Sequence, residues 1–185
     1  NLDVGTVESA WSDAAGCGAD VRLATEAGFI LERRERVVAA PASEVFRVVC
    51  GLGGRRGYYY WDWAWRARGA LDRLIGGVGL RRGRRDADEL RVGDALDFWR
   101  VEEVEPNHLL RLRAEMKVPG AAWLQFEIRP AGESASRLVQ TAFFAPRGLA
   151  GHLYWYGLYP LHRPIFSGMI QGLAAAAESS GGRSV

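Results

Sequence analysis

Residues Gly93 to Pro146 read GDALDFWRVEEVEPNHLLRLRAEMKVPGAAWLQFEIRPAGESASRLVQTAFFAP, strand-like runs cut by turn signals. The turns fall at Pro106-Asn107, Pro119-Gly120 and Pro130-Ala131-Gly132, where Pro fixes φ and Gly or Asn accepts positive φ. Between them the residues alternate with the period of a half-buried strand. Arg100, Glu102, Arg111, Arg113, Glu115, Gln125, Glu127 and Arg129 share one parity. Trp99, Val101, Leu110, Leu112, Met116, Leu124, Phe126 and Ile128 share the other. Short connections predict an antiparallel meander with a solvated charged face and an apolar face that needs a cover.

The surrounding chain supplies that cover. The segment GLAGHLYWYGLYPLHRPIFSGMIQGLAAAAES is apolar and mostly helical, with Pro160 and Pro164 expected to start or kink a helix. From Leu161 onward its apolar face carries Ile165, Phe166, Met169, Ile170, Leu173 and Ala176, with His162 in the middle. Arg163, Ser167 and Gln171 are expected to face away. Upstream, Gly28 to Ala39 (GFILERRERVVA) reads as a strand whose charged middle predicts partial exposure. Pro41 to Cys50 reads as a short helix with Ser43 as N-cap and Gly51 to Gly54 as its stop.

Trp61 to Ile75 reads as a helix, at about 100° per residue. Trp61, Ala64, Trp65, Leu71, Leu74 and Ile75 fall on its apolar arc, with Arg68 and Asp72 inside the same arc. Asp62, Arg66 and Arg73 fall opposite. The charged run around Arg81, Arg82, Arg84 and Arg85 is followed by Asp86, Asp88 and Glu89, which cancel most of its field, and reads as a solvated loop.

At 185 residues, 48% hydrophobic and 25% charged, the chain has the make-up of one soluble domain. A net charge of +2 argues against nucleic acid and against an anionic membrane surface. Cys17 and Cys50 form no disulfide framework and no CxxC, so a reducing cytoplasm is the expected setting. His162, Arg163 and Pro164 interrupt the C-terminal apolar run short of a membrane span. No His, Cys, Asp or Glu cluster has metal-ligand spacing.

Strand, two helices, meander and long final helix resemble the helix-grip fold of the START-like (SRPBCC) superfamily, which includes polyketide cyclases and lipid-transfer domains. The fold class expected is therefore α+β, a curved antiparallel sheet wrapped around a long C-terminal helix. More closely, YYYWDWAWRARGALDRLIGGVGLRRGRR, GDALDFWRVEEVEP and LYWYGLYPLHRPIFSGMI resemble a bacterial domain-of-unknown-function family. That family is often fused behind an NAD(P)-binding Rossmann domain of the atypical short-chain dehydrogenase type. Composition predicts an arm or linker over 1–27, the domain over 28–179 and a frayed tail over 180–185. The resemblance spans roughly Arg36 to Glu178 and implies that the arm is the linker from such a Rossmann domain. The chain contains no GxGxxG after a strand, so no nucleotide cofactor is assigned to it.

A sheet closing over a helix implies an apolar cavity between them, and the candidate ligand-binding residues follow from it. Arg68 and Asp72 read either as the polar end of that cavity or as an ion pair tying helix to sheet. His162 reads as a ligand hydrogen-bonder, a general acid/base or a satisfied core histidine. Asp97 shares the inward parity, or sits at a strand start within reach of solvent. Trp65, Trp99, Met116, Phe126, Phe166 and Met169 line the cavity or fill the core. His108 is expected to be exposed and His152 to lack a partner.

The expected function is binding of a hydrophobic small molecule beside a Rossmann domain. The alternatives are a cyclase, dehydratase or isomerase using His162, Asp97 or the Arg68–Asp72 pair, and a membrane-peripheral domain using Tyr154-Trp155-Tyr156. Neither a nucleophile–base pair nor a metal cluster is legible, so no catalytic residue is assigned.

Overall fold

The computed structural model describes residues 20–26, 28–54, 57–74, 76–79 and 90–181. Trp11, Cys17, Ile75 and the Arg81–Arg85 run lie outside the described residues. Among the described residues, seven strands form one antiparallel sheet. They are β1 (Asp20–Glu26), β2 (Phe29–Val38), β3 (Ala95–Leu96), β4 (Trp99–Glu105), β5 (Leu109–Ala114), β6 (Gly120–Pro130) and β7 (Ser136–Pro146). Their spatial order is β1-β2-β7-β6-β5-β4-β3. Helices α1 (Ala42–Cys50) and α2 (Asp62–Leu74) lie between β2 and β3 in sequence, and α3 (Gly148–Gly181) closes the chain.

The meander forms as its parity predicts. Leu110 pairs with Phe126, and Leu112 with Leu124. These four side chains and Ile128 are almost wholly buried. A bulge between Val101 and Glu103 shifts the register of β4, so Val104 joins the core although it breaks strict alternation.

Several expectations are corrected. The stretch read as an arm ends in a strand: β1 pairs along β2 from Asp20↔Glu35 to Glu26↔Phe29. Its middle residues are exposed, so it carries no apolar period to read. The run from Gly93 is not one strand but a hairpin, turning at Asp97-Phe98 between β3 and β4. Ser43 is not the N-cap of α1. Pro41 holds that position, with no side-chain cap. Both prolines lie inside α3, which runs through them without starting anew.

The packed face of α2 is Trp65, Gly69 and Asp72, while Leu71 and Leu74 are exposed. Aromatic stacking on Trp65 and backbone amides on Asp72 set the roll of this helix, so the leucines do not.

The loop 58–60 docks onto α3 at two glycines. A Cβ at Gly172 would sit 2.6 Å from the Cβ of Tyr59, and one at Gly168 would fall inside the ring of Tyr60. Gly168→Ala is therefore expected to cost about 1–3 kcal/mol of overpacking. Gly157→Ala, on the same helix but with open space around it, is expected to hold or gain stability. Urea unfolding of the two variants checks the contrast.

Candidate functional site

The inner face of β2 carries Ile30, Glu32, Arg34, Arg36 and Val38, two residues apart. Glu32 and Arg34, expected to be partly exposed, are 0% and 1% exposed. They are buried because β1 covers the edge of β2 and α3 covers its inner face. Arg34 Nη2 donates to Glu32 Oε1 (2.5 Å) and to the Arg163 carbonyl of α3 (3.1 Å). Its Nε donates to Ser167 Oγ (3.2 Å), and its guanidinium lies 5.8 Å from the centre of the Phe166 ring. Ser167 thus faces the sheet, contrary to expectation.

On β7, Gln140 pairs in register with Arg34, and its Nε2 donates to the Phe166 carbonyl at 3.4 Å. The sheet therefore grips two consecutive turns of α3 through an arginine and a glutamine. Glu32 and Gln140 are fully buried and His162 partly so, yet the buried atoms Glu32 Oε2, Gln140 Oε1 and His162 Nδ1 have no hydrogen-bond partner among the described residues. Such atoms are uncommon in a folded interior.

His162 projects into this interior. Its ring meets Trp155 edge-on at 5.5 Å and Phe166 at 5.5 Å. Burial, then the positive charges of Arg68 and Arg34, push its pKa down to about 4. It is therefore neutral near pH 7, one ring nitrogen donating and the other accepting. Tyr159, one turn earlier, has its phenol pKa raised by burial and by the negative charge of Glu32.

From His162 an aromatic ladder runs both ways. One branch is Trp155 and Phe144, stacked at 5.3 Å. The other runs through Phe166 to Trp65, Phe98 and Tyr58, with Tyr58 stacked on Trp65 at 4.5 Å. The structure thus brings Trp65, His162 and Phe166 of the expected residues together directly. Trp99 joins through Phe98. Phe126 and Met169 lie in the same core, and Met116 packs on its margin.

Asp97 and Asp72 sit apart from the polar cluster. Asp97 is in the β3–β4 turn with φ 54° and is 6% exposed, so solvent does not reach it as a strand start would allow. Its Oδ2 accepts from the Gly54 amide and the Tyr58 hydroxyl, both at 3.0 Å. Burial first, then the charge of Asp97, raises the Tyr58 pKa well above its ordinary value. Asp97→Ala strands the buried Tyr58 hydroxyl and leaves the Gly54 amide to solvent, and is expected to cost about 1–3 kcal/mol. Asp97→Asn keeps an acceptor and tolerates the left-handed backbone, so it should lose less; denaturant midpoints check this order.

Asp72 accepts from the Gly79 amide (2.9 Å) and the Lys117 amide (2.7 Å). Arg68 lies 4.0 Å from Asp72 and donates to the Lys117 carbonyl at 3.3 Å. The two together tie α2 to the β5–β6 connection. Elsewhere, His108 pairs with Glu105 in the open, and His152 Nδ1 lies 3.0 Å from the Gly148 carbonyl.

A cavity of about 450 Å³ lies on the opposite face of the sheet. Phe29, Leu31, Trp123 and Phe143 line it, with Arg111 and Gln125 at its polar side. Those polar groups are mutually satisfied: Arg111 Nε donates to Gln125 Oε1, and Gln125 Nε2 to Glu127, both at 2.7 Å. Among the described residues no helix is long and apolar enough to cross a membrane.

A family model described as "Protein of unknown function (DUF2867)" matches residues 24–169. The chain belongs to the DUF2867 family. No curated protein matches this DUF2867 chain in sequence. Among solved structures, a norcoclaurine synthase point mutant from Thalictrum flavum, in complex with a transition-state analogue, is similar with TM-score 0.51 and 12% identity. That match covers 87% of this chain and 99% of the other. The Zhui aromatase/cyclase from Streptomyces sp. R1128 reaches 0.47 at 14% identity, over 81% and 94% of the two chains. A conserved protein of unknown function from Enterococcus faecalis reaches 0.49 at 12%, over 86% and 78%. At such identities the likeness is one of fold. The DUF2867 chain has the START-like helix-grip fold, a curved antiparallel sheet against a long C-terminal helix.

Proposed function

We propose that this DUF2867 domain binds a largely apolar small molecule between the inner face of the sheet and α3. The observation that carries the reading is the set of unpartnered buried atoms, Glu32 Oε2, Gln140 Oε1 and His162 Nδ1. They sit beside an aromatic ladder, on two adjacent strands and the helix that covers them. Apolar walls with a few convergent polar groups are what a small-molecule site needs. In the outer-face cavity Arg111, Gln125 and Glu127 already satisfy one another, and the further polar side chain, Glu102, is exposed to solvent rather than buried.

The cofactor and partner follow from the resemblance rather than from the site. No nucleotide is assigned to this domain, and an NAD(P)-binding Rossmann domain joined ahead of it would act on or sense the bound molecule. A catalytic version of the same site rests on His162, whose imidazole lies among the aromatic rings and is a weak base there, its pKa lowered to about 4. Turnover lost in His162→Phe with binding retained would favour it.

Native mass spectrometry of the protein as purified, with the extracted small molecules identified, tests the binding reading. A stoichiometric apolar passenger, reduced when Phe166 is replaced by alanine, is the expected result. A clean apo mass, together with no binding across a lipid and polyketide panel, would overturn it.

A further inference from the structure

Resting on that reading, the unpartnered atoms also say what the ligand's polar group is. Glu32 and Gln140 are diagonal neighbours across the β2–β7 pair, since Glu32 opposes Ala142 and Arg34 opposes Gln140. Diagonal positions lie about 7–8 Å apart, within reach of one small group. The orientation of the Gln140 amide is fixed by its neighbour: the Phe166 carbonyl only accepts, so Nε2 faces it and Oε1 is the oxygen left over. Glu32 likewise spends Oε1 on Arg34 and leaves Oε2. Both remaining atoms are acceptors, on side chains 0% and 1% exposed.

A ligand carboxylate or carbonyl would set lone pair against lone pair here. An ammonium would add an unbalanced charge, because Glu32 and Arg34 already neutralise each other, and a buried unbalanced charge is costly. Nearby, the buried indole N–H groups of Trp65 and Trp155 also lack partners; these rings touch Phe166 and His162. The group that suits such surroundings is neutral and both donates and accepts. We infer that the ligand presents a hydroxyl, alcohol or phenol, whose single O–H is shared between the acceptors Glu32 Oε2 and Gln140 Oε1, with its apolar body against Phe166 and Trp155.

Three probes of one shape test this by isothermal titration calorimetry: 2-naphthol, 2-methoxynaphthalene and 2-naphthoate. A site built around a hydroxyl rejects the analogue that lacks its proton, so 2-naphthol should bind about tenfold or more tightly than the methyl ether. That preference should collapse in Gln140→Met, which keeps the side-chain volume, and in Glu32→Gln. Should either variant fold poorly, the probe ratio on the unaltered protein still decides. Equal affinities for naphthol and its ether, or a preference for the ether or the naphthoate, would overturn the hydroxyl while leaving an apolar site standing. Persistence of the naphthol preference in both folded variants would overturn the assignment to Glu32 and Gln140. No binding of any of the three would overturn this inference, and with the empty panel described above would remove the binding reading too.

Discussion

Replacing Glu32 by leucine is expected to destabilise the domain by about 3–5 kcal/mol, the range for a buried ion pair broken on one side. The loss arises from what is left behind. Arg34 is 1% exposed and its charge is balanced by Glu32 at 2.5 Å. Without that carboxylate the guanidinium keeps only the neutral acceptors Ser167 Oγ and the Arg163 carbonyl. The double variant Glu32→Leu/Arg34→Met removes both charges and refills the volume, so it should recover most of the loss. Urea unfolding of the single and double variants measures both quantities. A single variant costing under about 1 kcal/mol, the range of a solvated surface pair, would contradict the buried placement.

Acidification is expected to weaken the fold through His162. The unfolded imidazole takes up its proton near pH 6.5, whereas the folded one resists until about 4. Between these values the unfolded chain binds more protons, so stability is complete above the window and falls as pH drops through it. The loss from this group alone amounts to about 2 kcal/mol at pH 5 and about 3 kcal/mol at pH 4. Carboxylates titrate in the same range, so the readout is the difference in pH slope between the parent protein and His162→Phe. A shallower slope for the variant is expected. Parallel slopes would mean that the histidine already meets solvent in the folded state.

The sheet and its cover were legible because their signals are local and periodic. Pro and Gly mark the turns at 106, 119 and 130, and alternation places Leu110, Leu112, Leu124 and Phe126 inside. The α3 face carrying Phe166, Met169 and Ile170 is buried as its spacing predicts. The polar cluster was harder to see. In FILERRERVV, charge at Glu32 and Arg34 reads as exposure, and only parity with Ile30 and Val38 hints that these side chains point inward. Gln140 carries the same signal, standing between Leu138 and Ala142 on the inward parity of β7.

Expectations for α2 failed for a related reason. A helix buried by stacking on Trp65 and by hydrogen bonds to Asp72 does not turn its leucines inward. The hairpin at Asp97 was hidden because its turn uses Asp-Phe, not Gly or Pro, and is held by hydrogen bonds from Gly54 and Tyr58, some forty residues earlier. In each case long-range polar contacts overrode the local pattern.

Placement of the ligand against the inner face is the claim on which the rest depends. Titrating isotopically labelled protein with 2-naphthol, while following side-chain NMR signals on both faces of the sheet, tests it directly. The predicted result is shifts at the Gln140 side-chain amide, the Met169 methyl and the His162 ring, with Leu31 and the Trp123 indole unchanged. Shifts confined to Leu31, Trp123 and Phe143 would contradict the account and move the binding site to the outer-face cavity.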